Sequence, residues 1–120
     1  MATTKEPVER RKNKRLLVRE AAFVCFDASP AMMARIVDVS VGGVGFTYRA
    51  SRRRTTDLFT LEILCILSRF NLVEIPVRTV SDFETTVQGV RRCDVQFEGL
   101  TEDQKHGVDQ FIDCCTIGET

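Results

Sequence analysis

Short stretches of alternating or continuous apolar residues follow one another along the chain from residue 21 to residue 97. Turn-forming residues separate these stretches, and this combination predicts β-strands. Six strands are predicted, over residues 21–27, 32–39, 44–48, 57–67, 72–83 and 88–97. Strands spaced this closely favour an antiparallel barrel or sandwich.

Two of the predicted strands carry a further local signal. In the second strand, alternation places Ala34, Ile36 and Asp38 on one face and Val39 on the other. We therefore expect Asp38 to share a face with two apolar residues. The fifth strand contains Pro76, which has no N–H to donate to a sheet, and this indicates a bulge or an edge position.

A helix is predicted after residue 100. Thr101 and Gln104 have the spacing of a capping box, in which each side chain satisfies a backbone N–H of the first turn. Apolar residues recur behind this cap at helical spacing: Val108, Phe111, Ile112 and Cys115. Gly118 is expected to lie at the end of the helix. The apolar stripe most simply packs against an open end or face of the predicted β-structure.

The length of 120 residues suits one domain with a single core. No apolar run approaches the roughly 18–20 residues that a membrane span requires. The first residues lack the apolar segment of a secretory signal, so we expect a cytoplasmic protein. Residues 1–15 have little to bury and are expected to be mobile or irregular. We divide the chain into a flexible tail over residues 1–8 and a single domain over residues 9–116.

Charge is distributed unevenly, although 17 basic and 17 acidic residues give a formal net charge of zero. Residues 1–54 carry twelve Lys and Arg against five Asp and Glu, a net charge of +7, so the remaining residues carry −7. A net charge of zero argues against general nucleic-acid binding. The basic first half nevertheless indicates an anionic partner. Its arginine run at residues 52–54 fits either solvated charge or a contribution to attracting a ligand or partner.

The five cysteines fit a reduced protein better than a disulfide or zinc protein. None falls in a Cys-x-x-Cys pair, and Cys25, Cys65 and Cys93 lie within apolar or alternating stretches. Buried free thiols are the expected state of such residues in a reducing compartment. With one histidine, His106, and no paired cysteine spacing, no metal site is expected.

Two short motifs carry the candidate chemistry. The first lies in the basic run at residues 10–15 and places Arg11 and Arg15 four residues apart. The second places Asp38, Ser40 and Gly43 in the order Asp-x-Ser-x-x-Gly. Taken alone, the first fits a solvated basic tail, and the second fits a tight turn in which one glycine takes a positive φ.

Taken together and in this order, the two motifs resemble the PilZ domain, a bacterial receptor module for cyclic di-GMP. Arg-x-x-x-Arg stands just before the first predicted strand, and Asp-x-Ser-x-x-Gly follows about twenty residues later. Residues 93–101 resemble the last strand of the family and its entry into a helix. The resemblance covers roughly residues 9–115. It implies an all-β fold, a six-stranded antiparallel β-barrel with a C-terminal α-helix, here with a flexible basic N-terminal arm.

The resemblance also implies a binding site for cyclic di-GMP. Two arginines come from the first motif and three residues from the second. Arg10 stands directly before the first motif. In the family, the residue at this position influences whether one ligand or a stacked pair of ligands binds, and an arginine there favours the stacked pair. The site residues are Arg10, Arg11, Arg15, Asp38, Ser40 and Gly43.

The chemistry of these side chains suits a ligand with two phosphates and two guanines. An arginine guanidinium matches the O6 and N7 acceptors of guanine, and it also binds phosphate through two hydrogen bonds. The carboxylate of Asp38 can accept from guanine N1–H and N2–H₂, which no arginine can do. The Ser40 hydroxyl can bond to base or phosphate, and Gly43 permits close approach of the backbone.

We therefore expect a non-catalytic cyclic di-GMP receptor, without metal or cofactor, whose arginine arm orders on binding and which signals to a downstream protein. A ligand-independent PilZ-like scaffold is the alternative. A nucleic-acid binder is a third hypothesis, although the basic arm lacks aromatic residues for base stacking. The family resemblance further suggests roles in motility and biofilm formation, and a homodimer through one strand or the helix.

Overall fold

The computed structural model describes residues 14–18, 21–26, 33–66 and 68–119. Within these residues the chain forms eight strands and one helix. In chain order they are β1 (Leu16–Val18), β2 (Ala22–Cys25), β3 (Met33–Ser40), β4 (Gly43–Arg49), β5 (Leu58–Cys65), β6 (Phe70–Glu84), β7 (Val90–Phe97), α1 (Glu102–Cys115) and β8 (Thr116–Glu119).

Six antiparallel strands close into a barrel in the order β2, β5, β6, β7, β4, β3, with β3 pairing back onto β2. These are the six strands that the sequence pattern predicts, so the expected six-stranded barrel is confirmed. Two short strands extend the sheet beyond the barrel, because β1 pairs with β3 and β8 pairs with β1.

The two additional strands are not predicted by the sequence. β1 has three residues and β8 has four, too few for a recognisable alternation, and they form through their partners. β1 and β2 lie one after the other along the same edge of β3: Leu17 pairs with Asp38, and Val24 pairs with Ala34. This arrangement brings the residue before β1 to the C-terminal end of β3.

Apolar side chains from the barrel strands fill a single core, and α1 packs against it. Phe46 and Ile36 are among the side chains that are at most 1% exposed. From α1, the rings of Phe111 and Phe70 are stacked at a centroid distance of 6.1 Å. The helix is fourteen residues long, and no helix in the described part of the chain is long and apolar enough to cross a membrane.

The helix begins as the sequence predicts and ends earlier. The backbone N–H of Gln104 donates to the Thr101 hydroxyl at 3.1 Å, and the N–H of Thr101 donates to the Gln104 side chain at 2.9 Å, so the capping box is confirmed. The predicted end at Gly118 is wrong. Cys115 ends the helix, and Gly118 pairs with Leu17 of β1 instead.

Pro76 lies in β6, which is an interior strand between β5 and β7. Its carbonyl accepts from the N–H of Glu98, just beyond the Val77–Phe97 pair that ends the β6–β7 ladder. Because the proline stands at the end of that ladder, its missing N–H removes no internal bond between the two strands. A register shift between β5 and β6 lies nearby, where Glu74 takes a φ of +53°.

A buried carboxylate ties the loop after β4 to strands β6 and β7. The side chain of Asp82 is 0% exposed. It accepts from the Tyr48 hydroxyl at 2.6 Å, the Thr55 hydroxyl at 2.7 Å and Nε of Arg91 at 2.7 Å. Burial by itself would raise the pKa of Asp82, but these donors outweigh burial and lower the pKa from its ordinary value.

Candidate functional site

The two sequence motifs meet at the C-terminal end of β3. Arg15 immediately precedes β1, Asp38 and Ser40 lie in the last part of β3, and Gly43 begins β4. Because β1 runs antiparallel to this part of β3, Nη1 of Arg15 lies 3.1 Å from Oδ1 of Asp38. The first motif therefore contacts the second directly through one arginine. The other two predicted arginines, at positions 10 and 11, lie outside the described residues.

Asp38 faces the outside of the barrel because β3 contains a bulge. The alternation of the sequence puts Asp38 on the same face as Ala34 and Ile36, which are both buried in the core. The pairing of β3 with β4 shifts between Ile36 and Asp38. Such a shift inserts an extra residue and moves the following side chains to the opposite face. Val39, 1% exposed, enters the core in its place, so the predicted face of Asp38 is wrong.

A glycine in β4 leaves the space in which charged side chains gather. Gly45 pairs with Asp38 on one side and with Asp94 on the other. A Cβ atom at Gly45 would lie 2.6 Å from Oδ1 of Asp38, 2.7 Å from Oδ1 of Asp94 and 2.5 Å from Nη2 of Arg92. These separations are shorter than any normal contact. The charged groups therefore pack against the backbone of Gly45 in space that any other side chain would occupy.

Four side chains form a four-charge cluster at this point: Arg15, Asp38, Arg92 and Asp94. Nη1 of Arg15 lies 2.8 Å from Oδ1 of Asp94, and Nη2 of Arg92 lies 2.8 Å from the same oxygen. Nη2 of Arg92 also lies 3.2 Å from Oδ2 of Asp38. The two carboxylates are 8% and 14% exposed, and the two arginines are 25% and 21% exposed. The cluster is formally neutral and remains accessible from outside through its arginines.

The electrostatics of the cluster favour the charged forms of Asp94 and Arg92. Burial would raise the pKa of Asp94, but hydrogen bonds from Arg92 and Arg15 outweigh it and lower the pKa. Burial would lower the pKa of Arg92, but its hydrogen bond to Asp94 and the charges of Asp38 and Asp94 raise it. Ser81 also donates to Oδ2 of Asp94 at 3.1 Å. The cluster is therefore a set of mutually stabilised ions.

Ser40 and Gly43 shape the turn between β3 and β4. The Ser40 hydroxyl accepts from the backbone N–H of Gly42 at 3.1 Å, which closes the turn. Among the described glycines, positive φ values occur only outside this turn, so the expected left-handed glycine is wrong. Gly43 is needed for another reason. A Cβ atom at Gly43 would clash with the carbonyl oxygen of Val95 in β7.

Four residues of this site, Gly45, Ser81, Arg92 and Asp94, are absent from the sequence-based prediction. A signal was present, because Arg92 and Asp94 alternate onto one face of a predicted strand with opposite charges. The sequence does not show that this strand lies beside β4. The register between β4 and β7, which pairs Gly45 with Asp94, brings these charges to the motif residues.

The arginine run at residues 52–54 lies away from the cluster. It belongs to the loop that follows Arg49, at the opposite end of β4 from Gly43. Arg53 pairs with the exposed Asp57 at 3.2 Å, and all three arginines of the run are exposed. This position favours the interpretation of the run as solvated charge.

A groove of about 450 Å³ adjoins the turn on the side of α1. It touches the turn through Val41 and Gly42, and no residue of the four-charge cluster lines it. Most of its side chains are apolar, with one charge of each sign. Its lining consists of Val41, Gly42, Phe97, Gly99, Leu100, Lys105, Val108 and Asp109.

The described residues include no group of three or more His, Cys, Asp or Glu that could hold a metal ion. The free thiols of Cys65 and Cys93 are buried, as the sequence predicts, and Cys25 is half-buried. Burial raises the pKa of Cys93 to about 12, with a smaller contribution from the charge of Asp82. A thiol in this state is a poor nucleophile and a poor metal ligand at neutral pH.

Comparison with known proteins gives a consistent result. The family model of the PilZ domain matches residues 9–114. Among solved structures, the complex of K. pneumoniae MrkH with c-di-GMP is similar with a TM-score of 0.68 and 14% identity, covering 86% of this chain and 51% of MrkH. The PilZ domain of Escherichia coli YcgR with c-di-GMP is similar with a TM-score of 0.67 and 17% identity, covering 87% and 89%. No curated protein matches.

The chain combines a closed six-stranded barrel with a charged, solvent-accessible cluster on the outer face of the barrel. The chain belongs to the PilZ domain family, since the family model covers most of its length. Proteins of this family are effectors and not enzymes. In the MrkH and YcgR structures cyclic di-GMP is a bound ligand, not a cofactor. The chain spans about half the length of MrkH.

Proposed function

We propose that this protein is a non-catalytic receptor that binds cyclic di-GMP at the four-charge cluster. The observation that carries the proposal is the contact between the two motifs, with Nη1 of Arg15 3.1 Å from Oδ1 of Asp38. One group donates to phosphate oxygens and guanine acceptors, and the other accepts from guanine N–H groups. The bound c-di-GMP in the structures of MrkH and YcgR supports the same ligand for this chain.

We further propose that the N-terminal arm supplies the remaining positive charge. The four-charge cluster is neutral, whereas the ligand carries two phosphate charges. Arg10 and Arg11 would add two positive charges beside the phosphates, with Ser40 and the backbone of Gly43 bordering the same site. An arm that closes over the ligand in this way would become ordered on binding.

The identity of the residue before the first motif bears on stoichiometry. Arg10 offers a planar guanidinium that can stack on a guanine. We propose that it favours a stacked pair of ligand molecules over one. The expected stoichiometry is therefore two cyclic di-GMP per chain, and Arg10→Ala should reduce it to one.

We propose that the ligand-bound form presents a new surface to a downstream protein in the cytoplasm, in a process such as motility or biofilm formation. The functional unit would be the domain over residues 9–116, with residues 1–8 as a tail. A homodimer through one exposed strand or α1 remains part of this proposal. Sedimentation or light scattering, with and without ligand, tests the dimer.

Isothermal titration of the full chain with cyclic di-GMP tests the binding proposal. We expect micromolar or tighter binding, which Arg15→Ala and Asp38→Ala each abolish. Glu98→Gln is the matched control, because Glu98 pairs with Arg78 at 3.1 Å in an exposed ion pair outside the cluster. Unchanged binding in both Arg15→Ala and Asp38→Ala would show that the site is assigned wrongly.

The alternative is a scaffold that has no need of the ligand. One observation favours it, because both arginines of the four-charge cluster already have carboxylate partners within the chain. A scaffold of this kind would show no rise in melting temperature with saturating cyclic di-GMP, whereas a receptor would be stabilised.

A further inference from the structure

The two arginines of the four-charge cluster are held in different ways. Arg92 donates through Nη2 to both oxygens of Asp38, at 3.3 and 3.2 Å, and to Asp94 at 2.8 Å, and its Nε lies 3.4 Å from Oδ2 of Asp94. Arg15 makes its two contacts with these carboxylates through a single nitrogen, Nη1. Arg92 also lies within a strand that has partners on both sides, whereas Arg15 precedes the first strand. Arg15 is therefore the more easily released of the two.

The carboxylate of Asp38 is nearly saturated by these donors. A carboxylate has about four acceptor positions, and three hydrogen bonds from Arg15 and Arg92 already reach Asp38. The N1–H and N2–H₂ edge of a guanine requires two of those positions. A guanine that pairs with Asp38 in this way therefore competes with the arginines, since their contacts already engage both of its oxygens.

The release of Arg15 leaves no carboxylate unpaired. Arg92 would still contact Asp38 and Asp94, and Ser81 would still donate to Asp94 at 3.1 Å. The release of Arg92 would instead leave both carboxylates with one nitrogen of Arg15 between them. Buried charges are costly when they lose partners. Because the release of Arg15 breaks two contacts and the release of Arg92 breaks four, the exchange of Arg15 is the favourable route.

We propose that Asp94 is an intramolecular competitor for Arg15, which the ligand must displace, and that Asp94 thereby sets affinity and selectivity. This inference rests on the proposed cyclic di-GMP site. In the free protein, Asp94 and Asp38 hold Arg15. On binding, Arg15 moves to a phosphate or guanine of the ligand, guanine takes its place on Asp38, and Arg92 remains on Asp94.

The competition favours a ligand that carries phosphate and guanine together. Phosphate alone releases Arg15 but leaves an acceptor position of Asp38 empty. Guanine alone occupies Asp38 but leaves Arg15 without a second acceptor. A guanine dinucleotide supplies both a phosphate acceptor for Arg15 and a guanine donor for Asp38. An anion without guanine supplies only the acceptor.

The first test measures cyclic di-GMP affinity by titration at one fixed salt concentration for the unmodified chain, Asp94→Asn and Glu98→Gln. Asp94→Asn should bind about three- to tenfold more tightly, since the ligand no longer competes with the Asp94 carboxylate for Arg15. Glu98→Gln removes the same charge from a pair outside the cluster and should change affinity by no more than about twofold. Unchanged or weaker binding by Asp94→Asn, or an equal gain in Glu98→Gln, overturns the competitor role.

The second test needs no substitution and covers the case in which Asp94→Asn does not fold. A crystal structure of the unmodified chain with cyclic di-GMP should show Nη1 of Arg15 more than about 4 Å from Asp94, beyond ion-pair distance, with Arg92 still bonded to Asp94. A complex that keeps the Arg15–Asp94 contact overturns the competitor role and leaves the binding site intact. An unmodified chain that does not bind cyclic di-GMP overturns both proposals.

Discussion

Two carboxylates with little exposure to solvent each have three side-chain donors in the described part of this protein. The wholly buried Asp82 has three side-chain donors, and the largely buried Asp94 has donors in Arg15, Arg92 and Ser81. An isolated buried charge is costly, whereas an exposed ion pair contributes about 1 kcal/mol or less. Removing a partner from either carboxylate should therefore cost more stability than breaking an exposed ion pair.

We expect Asp82→Asn to lower the free energy of unfolding by about 2–4 kcal/mol. The amide keeps the size of the side chain, but its N–H₂ group replaces either the oxygen that accepts from Tyr48 and Thr55 or the one that accepts from Arg91. Urea unfolding measures the loss. Glu98→Gln, at an exposed pair, should cost about 0.5 kcal/mol or less. Equal losses in the two variants would contradict this interpretation.

The lowered pKa values of Asp82 and Asp94 predict acid sensitivity. In the unfolded chain each takes up its proton near the ordinary value of 3.8, whereas in the folded protein each does so at lower pH. Below the ordinary value the unfolded state binds more protons, so stability is present above it and is lost as pH falls toward the folded values.

Urea midpoints measured from about pH 6 to about pH 3 check this dependence. The midpoint should fall steadily at the acid end in the unmodified chain. Asp94→Asn and Asp82→Asn should each show a shallower fall, because each removes one group with a lowered pKa. A midpoint that stays constant to pH 3, or one that rises, would be inconsistent with the ion pairs described.

At the scale of elements, β3 and β4 together create the site. β3 pairs with β4, β2 and β1, and its bulge sends Asp38 outward while Val39 fills the core. β4 lies close against β7 because its first residue, Gly43, has no side chain. The second motif is therefore a packing requirement as well as part of the proposed ligand site.

Gly43→Ala should destabilise the protein by about 2–4 kcal/mol, because its Cβ atom would meet the backbone of Val95, which cannot move without opening the β4–β7 ladder. Ser40→Ala should cost about 0.5–1.5 kcal/mol, the value of one hydrogen bond to Gly42. Thermal or urea unfolding of both variants measures the difference. If Gly43→Ala is as stable as the unmodified chain, the close approach of the strands is wrong.

At the scale of the whole molecule, a net charge of zero results from a basic first half and an acidic second half. Bulk attraction to nucleic acid depends on many phosphate contacts at once, whereas a dinucleotide depends only on the charges at its site. The molecule is therefore suited to a small anionic ligand and poorly suited to a long one.

A thermal shift measurement tests this distinction. Cyclic di-GMP at about a hundredfold excess over Kd should stabilise the fold by about 2.7 kcal/mol and raise Tm by roughly 8–15 °C if one molecule binds, and by more if a stacked pair binds. Asp38→Ala should show no shift, and Glu98→Gln should shift as the unmodified chain does. Single-stranded or duplex DNA at the same phosphate concentration should produce no shift. A larger shift with DNA than with cyclic di-GMP would favour the nucleic-acid hypothesis instead.

Local patterns determine a large part of this protein. The six barrel strands and the capped start of α1 follow from alternation and from the Thr101–Gln104 spacing, because these signals lie within a few residues of one another. Asp38 and Arg15 could also be predicted as site residues from the sequence, since the order and spacing of the two motifs are visible in it. The short strands β1 and β8 could not be predicted, because each is too short to show a pattern and forms only by pairing with a neighbouring strand.

Only the tertiary structure decided which side chains meet. The face of Asp38 depends on a bulge between Ile36 and Asp38, which arises from the pairing of β3 with β4 and leaves no mark on the alternation. Asp94 reaches Asp38 because two separate ladders place both beside Gly45. The sequence by itself thus determined the barrel and the chemical type of the site. The ion pairs that hold its arginine depend on strand register, which is a property of the closed barrel and not of any one segment.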